Sequence, residues 1–150
     1  MKESLIQLLT AGIGTLGFSI YFRVSARNVA ASTASGVLGW AVYLLVYHFS
    51  KSLFLANFVA ACAVCGWSEL MAHKLKTPVT IFLVTGCIPL LPGGLLYYTM
   101  DALLQNDTAL FRANAADTLL VTFGLASGIV VTAILASHFR KRKKASKKPD

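Results

Sequence analysis

The charges of this chain are gathered into short clusters, and the long stretches between them carry none. That spacing decides what the chain can fold into. Crossing the ~30 Å hydrocarbon core of a bilayer takes roughly 20 mainly apolar residues as a helix. Five stretches are of that order: residues 5–22, 29–49, 53–72, 78–104 and 115–139. A backbone group in hydrocarbon finds no water, so a spanning segment must satisfy its own N–H and C=O groups by coiling. The expected fold is all-α: a polytopic membrane protein with about five transmembrane helices. Only 13% of the 150 residues are charged, about half the share of a soluble domain. Residues 1–139 read as one transmembrane helical domain and 140–150 as a basic cytoplasmic tail.

The connectors are short. "RVSARN", "SKS" and "HKLKT" join the first four spans in turn, which makes sequence neighbours antiparallel. Thr77 followed by Pro78 reads as a helix start, a capping side chain and then proline at the first helical position. The longest connector, residues 105–114, reads as an exposed loop with a short interfacial piece. Asn114 and Asp117 then resemble a capping arrangement at the start of the fifth span. The first span has little positive charge ahead of it and a long apolar stretch, so it is expected to be a retained helix rather than a cleaved leader.

Orientation follows from basic residues near the span ends. With the first and third connectors and the tail inside, eleven of fourteen basic residues are cytoplasmic. The N-terminus is then expected outside and the C-terminus inside. The formal charge of +8 comes mostly from the tail, which holds seven basic residues. No basic stripe interleaved with aromatics remains, which excludes nucleic acid as a partner.

Little of the usual catalytic vocabulary is present. Cys62, Cys65 and Cys87 lie inside spans, and a CxxC pair without a second pair is not a structural zinc site. Glu69 and His73 are spaced i,i+4, but no further ligands stand nearby, so no metal is expected. No nucleophile–base pair, phosphate loop or pair of catalytic acids emerges. The expectation is a protein that is not an enzyme and takes no cofactor.

The chemistry-bearing feature is the stretch "VTGCIPLLPGGLLYY" inside the fourth span. Pro89 withholds a helical partner from the carbonyl of Thr85, and Pro92 does the same to Ile88. Gly93 and Gly94 permit positive φ at low cost. The fourth helix is therefore expected to break at residues 89–94, near mid-bilayer, where irregular backbone survives only against protein or a watery cavity. The carbonyl end of the first half favours a cation, and the N–H end of the second favours a carboxylate. A small amino acid or organic acid suits such a pair of ends. Candidate pathway residues are Thr85, Ile88, Pro89, Pro92, Gly93, Gly94 and Tyr97. A simple proline kink is the competing reading.

Three further positions have two readings each. Tyr97 either offers its hydroxyl near the break or anchors an interface. Asp101, one turn on, is either a proton carrier or a solvated helix end. Glu69 is either an intramembrane carboxylate that pairs or carries a proton, or one that snorkels to the surface. Small residues recur at Gly12, Gly14 and Gly17, at Ser32, Ser35, Gly36 and Gly39, and at Gly124 and Gly128. They let helices approach closely and leave surface for a partner or a second copy.

Several ordered pieces add a resemblance: "GFSIYFRVSAR", "SGVLGW", "GWSELMAHKLKTP" and "IPLLPGGLLYY". With its PxxPGxxxY pattern at Pro89, Pro92, Gly93 and Tyr97, the chain resembles the small membrane-embedded component of the threonine/serine exporter family. The resemblance implies secondary export of small hydrophilic metabolites across the bacterial inner membrane. Its implied substrates are threonine and serine, or dicarboxylates such as succinate. It also implies the split form of the family, acting with a larger, separately encoded membrane subunit. The alternative from another class is a non-transporting membrane subunit that anchors or stabilises a larger complex.

Overall fold

The computed structural model describes residues 2–145, with side chains through residue 138. The helices are α1 (Lys2–Tyr21), α2 (Ala26–Ser50), α3 (Leu53–Leu75), α4 (Val79–Cys87), α5 (Gly93–Leu104) and α6 (Thr108–Ala145), with a 3-10 turn at Ile88–Leu90 between α4 and α5. The described residues contain no strand. α1, α2, α3 and α6 are each long and apolar enough to cross a membrane. α4 with its 3-10 turn and α5 form a pair bent by 46° that is together long and apolar enough for a broken fifth span or a re-entrant loop. The side chains of the basic tail, residues 140–150, lie outside the described residues.

At 1.5 Å per residue, the 38 residues of α6 reach roughly 57 Å, well beyond a hydrocarbon core of ~30 Å. Part of α6 therefore stands clear of the bilayer. This corrects the expected loop over residues 105–114, most of which is the first turns of α6. The start is set by Asp107, whose Oδ1 accepts the Leu110 N–H at 3.0 Å while its carbonyl accepts the Phe111 N–H at 3.0 Å. Asn114 and Asp117 lie inside the helix and cap nothing. Thr77 is likewise not a cap. Its hydroxyl donates to the Leu75 carbonyl at 3.0 Å and accepts from Asn28 Nδ2 at 3.2 Å, and Pro78 opens α4 without a side-chain bond.

α3 is the hub, lying against α2, α4 and α6. Ala56, Ala60, Ala61 and Val64 have no exposed surface. Lipid is as apolar as leucine, so helices in it associate through close packing and hydrogen bonds rather than hydrophobic expulsion. The glycines facing α3 make that packing possible. A Cβ on Gly124 would stand 2.6 Å from the Phe54 carbonyl oxygen, and one on Gly128 would stand 2.5 Å from that of Phe58. On α2, a Cβ at Gly36 would collide with Thr15 of α1.

Hydroxyls join α1, α2 and α4. Ser32 Oγ lies 2.8 Å from Ser19 Oγ and 2.7 Å from Thr85 Oγ1. Ser35 adds a bond to the Phe82 carbonyl at 3.0 Å. Trp67 on α3 reaches the Ala31 carbonyl of α2 at 3.1 Å. The outer faces are apolar, with Ile13, Phe49 and Leu104 exposed, as a lipid boundary requires. Four connector residues, Arg23, Lys51, Lys76 and Asn106, take left-handed backbone with φ between 53° and 57°, each just past a helix end.

Two outcomes follow for thermal unfolding in detergent. Gly128→Leu lowers stability by about 1–3 kcal/mol through overpacking, whereas Gly14→Leu, with nothing within 4 Å of a new Cβ, stays within about 0.5 kcal/mol. Ser32→Ala removes the shared hydroxyl and costs about 0.5–2 kcal/mol. An unchanged melting temperature in Gly128→Leu would show that the α3–α6 seam is looser than described.

Candidate functional site

The break is present, but proline and leucine make it rather than glycine. After Cys87 the chain tightens into the 3-10 turn, where the Leu91 N–H bonds the Ile88 carbonyl at 3.2 Å. The expected free carbonyl at Ile88 is therefore satisfied locally. Leu91 is extended at φ −67°, ψ 136°, and Pro92 sits at φ −77°, ψ 48°. With the Gly93 N–H on the Leu91 carbonyl at 2.8 Å, Pro92 is the centre of an inverse γ-turn. Neither Gly93 nor Gly94 has positive φ; both already belong to the first turn of α5. A Cβ on either would meet nothing within 4 Å. Their bareness leaves backbone open rather than bending it.

The first turn of α5 keeps the free N–H groups that begin any α-helix. Leu96 bonds back to the Pro92 carbonyl at 2.9 Å, whereas Gly94 and Leu95 find no backbone acceptor among the described residues. Leu90 is buried in the core, holding one end of the break against protein. Pro89, Pro92, Gly94 and Leu95 share a cavity of about 230 Å³ with Trp40, Tyr43 and Asn57. The buried Trp40 Nε1–H has no acceptor among the described residues.

The residues singled out from sequence do not form one cluster. Ile88, Pro89, Pro92, Gly93 and Gly94 make up the break itself. Thr85 sits a turn earlier, buried, and its hydroxyl serves the α1–α2–α4 network. Tyr97 is 69% exposed on the outer surface of α5, edge-on to Tyr98. Asp101 accepts from Gln105 Nε2 at 2.8 Å and does not meet Tyr97. Glu69 is half-buried on α3, away from the break in sequence and on a different helix. No group of three metal-ligating side chains occurs among the described residues.

A second concavity was not foreseen. The α1–α2 connector, the start of α2 and the α3–α4 corner enclose a cleft of about 450 Å³ lined by Arg23, Ser25, Asn28, Thr77, Thr80 and Thr85. Asn28 is 6% exposed. Its Nδ2 donates to Thr77 Oγ1, while its Oδ1 is buried without a partner. The arrangement is consistent with the Thr77 hydroxyl, which gives its own hydrogen to the Leu75 carbonyl and so accepts from the Asn28 NH₂. A buried acceptor left unpaired costs about 1–3 kcal/mol and calls for an explanation. The sequence signal was present, since Asn28, Ser32 and Ser35 recur at helical spacing, but Asn28 read as part of the connector and the two serines as packing.

Comparison with known proteins is consistent with this architecture. The family model described as threonine/serine exporter, ThrE, matches residues 7–135. A Corynebacterium glutamicum protein named threonine/serine exporter is 26% identical over 140 residues, covering 93% of this chain. A Haemophilus influenzae protein carrying the name uncharacterized protein is 26% identical over 105 residues, covering 70% of this chain. The chain spans only 28% and 35% of the length of these two curated relatives. No solved structure matches it. Its apolar helices and this kinship make it a multi-pass protein of the bacterial inner membrane. The chain belongs to the threonine/serine exporter family.

Proposed function

We propose that this chain is one component of a secondary exporter that moves small hydrophilic metabolites out across the bacterial inner membrane. The observation that carries the reading is the coincidence of the family match over residues 7–135 with an interrupted span inside it. The cargo is a threonine- or serine-like amino acid or a dicarboxylate such as succinate. In this reading the chain acts with a larger membrane subunit. The distribution of basic residues supports an N-terminus outside and a C-terminus inside.

In this reading the passenger crosses beside the break. Thr85, Ile88, Pro89, Pro92, Gly93, Gly94 and Tyr97 mark the pathway. The free N–H groups at Gly94 and Leu95 and the dipole of α5 attract a carboxylate, and the bare glycines allow it to approach the backbone. Glu69 and Asp101 are the candidates for proton coupling. The second reading, a subunit that anchors a larger complex without transporting, is favoured by Gly14, Gly17, Gly66, Gly93 and Gly94, where an added Cβ meets nothing.

The test is an efflux assay in cells with and without the larger subunit, across a panel of amino acids and dicarboxylates. Pro89→Ala combined with Pro92→Ala restores two backbone donors and lets α4 run into α5. The expected result is normal membrane insertion with efflux reduced at least about tenfold, the size of effect that misplacing a binding geometry produces. Wild-type efflux from that variant refutes a functional break. Crosslinks from residue 94 to a partner helix rather than to substrate would support the anchoring subunit instead.

A further inference from the structure

We infer that the cleft between the α1–α2 connector and α4 is a loading site for a small zwitterion, with Asn28 Oδ1 receiving its ammonium group and Arg23 its carboxylate. This rests on the export reading and deepens it by choosing between the two substrate classes.

The argument begins with the orphan acceptor. Asn28 Oδ1 is enclosed and unpartnered, while the Asn28 NH₂ is taken up by Thr77, whose own hydroxyl hydrogen goes to Leu75. What completes it must be a donor. The other polar groups lining the cleft are hydroxyls, from Ser25, Thr77, Thr80 and Thr85, and one cation, Arg23. No carboxylate lines it. At about 450 Å³ it falls within the range of small-molecule sites.

A ligand that matches these walls carries a hydrogen-bond donor and a negative charge a few atoms apart, as an α-amino acid does. A dicarboxylate does not match. One carboxylate would suit Arg23, but the other would face an acceptor oxygen and leave the mismatch worse than before. The Thr80 hydroxyl, on the exposed wall, can meet a side-chain hydroxyl of the cargo. Oδ1 has almost no exposed surface at rest, so a ligand engages it only as the seam between α2 and α4 opens. Occupancy is thereby tied to a movement of α4, the helix that leads into the break.

Equilibrium binding of labelled L-threonine to the full-length chain, alone and with its larger subunit, tests this. L-2-aminobutyrate, 3-hydroxybutyrate and succinate serve as competitors. The expected result is competition by aminobutyrate and not by succinate. Asn28→Ala and Arg23→Gln each weaken threonine binding by about tenfold or more, as loss of a charge-assisted bond does. Asn28→Asp, which keeps the acceptor, retains binding. Arg23 lies on an exposed connector, so its variant leaves the buried packing around Asn28 in place. The inference is overturned if both variants bind like wild type, if succinate competes better than aminobutyrate, or if no threonine binds. The two readings fail separately. Unchanged KM for threonine efflux in Asn28→Ala removes the loading site and leaves export standing. Asn28-dependent binding without any efflux does the reverse.

Discussion

An amide placed in hydrocarbon has no solvent to fall back on, and this constraint governs the whole molecule. It explains why the described residues are helical almost throughout, and why the connectors between helices are so short. It also explains the form of the interruption between α4 and α5. At residues 88–93 the helix does not simply open. Leu91 and Gly93 N–H groups turn back onto Ile88 and Leu91, so the irregular stretch consumes most of its own bonding capacity. The groups left over, at Gly94 and Leu95, lie where glycine keeps the surface bare. The local chemistry of the break and its proposed use come from the same shortage of water.

Packing answers the same constraint with different residues. α3 presents alanines and Val64 to its neighbours, and glycines on α6 and α2 bring backbones within reach. Where side chains between helices are polar, most are short hydroxyls bonded to one another or to carbonyls, with Trp67 adding an indole N–H. Ser19, Ser32 and Thr85 form such a run, buried and internally satisfied. Asn28 breaks the pattern, because it stands one helical turn from Ser32 yet keeps an oxygen unpaired. It shares that state with Trp40 Nε1 and Thr33 Oγ1 among the described residues, and of the three it alone lines the cleft beside Arg23.

Much of this was legible in the sequence, because hydropathy over a span-length window reports on the solvent directly. Spans two and three agree with α2 and α3 to within about three residues. The break fell where Pro89 and Pro92 put it, since proline acts on the backbone regardless of surroundings. The glycines were misread. Positive φ is something Gly93 and Gly94 permit, and the γ-turn at Pro92 removed the need for it. The start of α6 was missed because "DTALFR" is too polar for a span, although Asp107 followed by a helix-forming run is a start signal in its own right. The hydroxyl run and the Asn28 cleft join positions 13 to 53 residues apart, and without the fold no spacing rule connects them.

The connectors carry one more consequence. Arg23, Lys51 and Lys76 each hold left-handed backbone, a conformation that strains a residue with a Cβ by roughly 1–2 kcal/mol. Glycine would relax all three, yet each is a cation at the carbonyl end of a helix. The strained residue therefore does two jobs: it turns the chain, and it moors that helix end to the headgroup layer. The vertical setting of α1, α2 and α3 in the bilayer is then fixed by their last turns rather than by their lengths, so helices of unequal reach can share one membrane without sliding past each other.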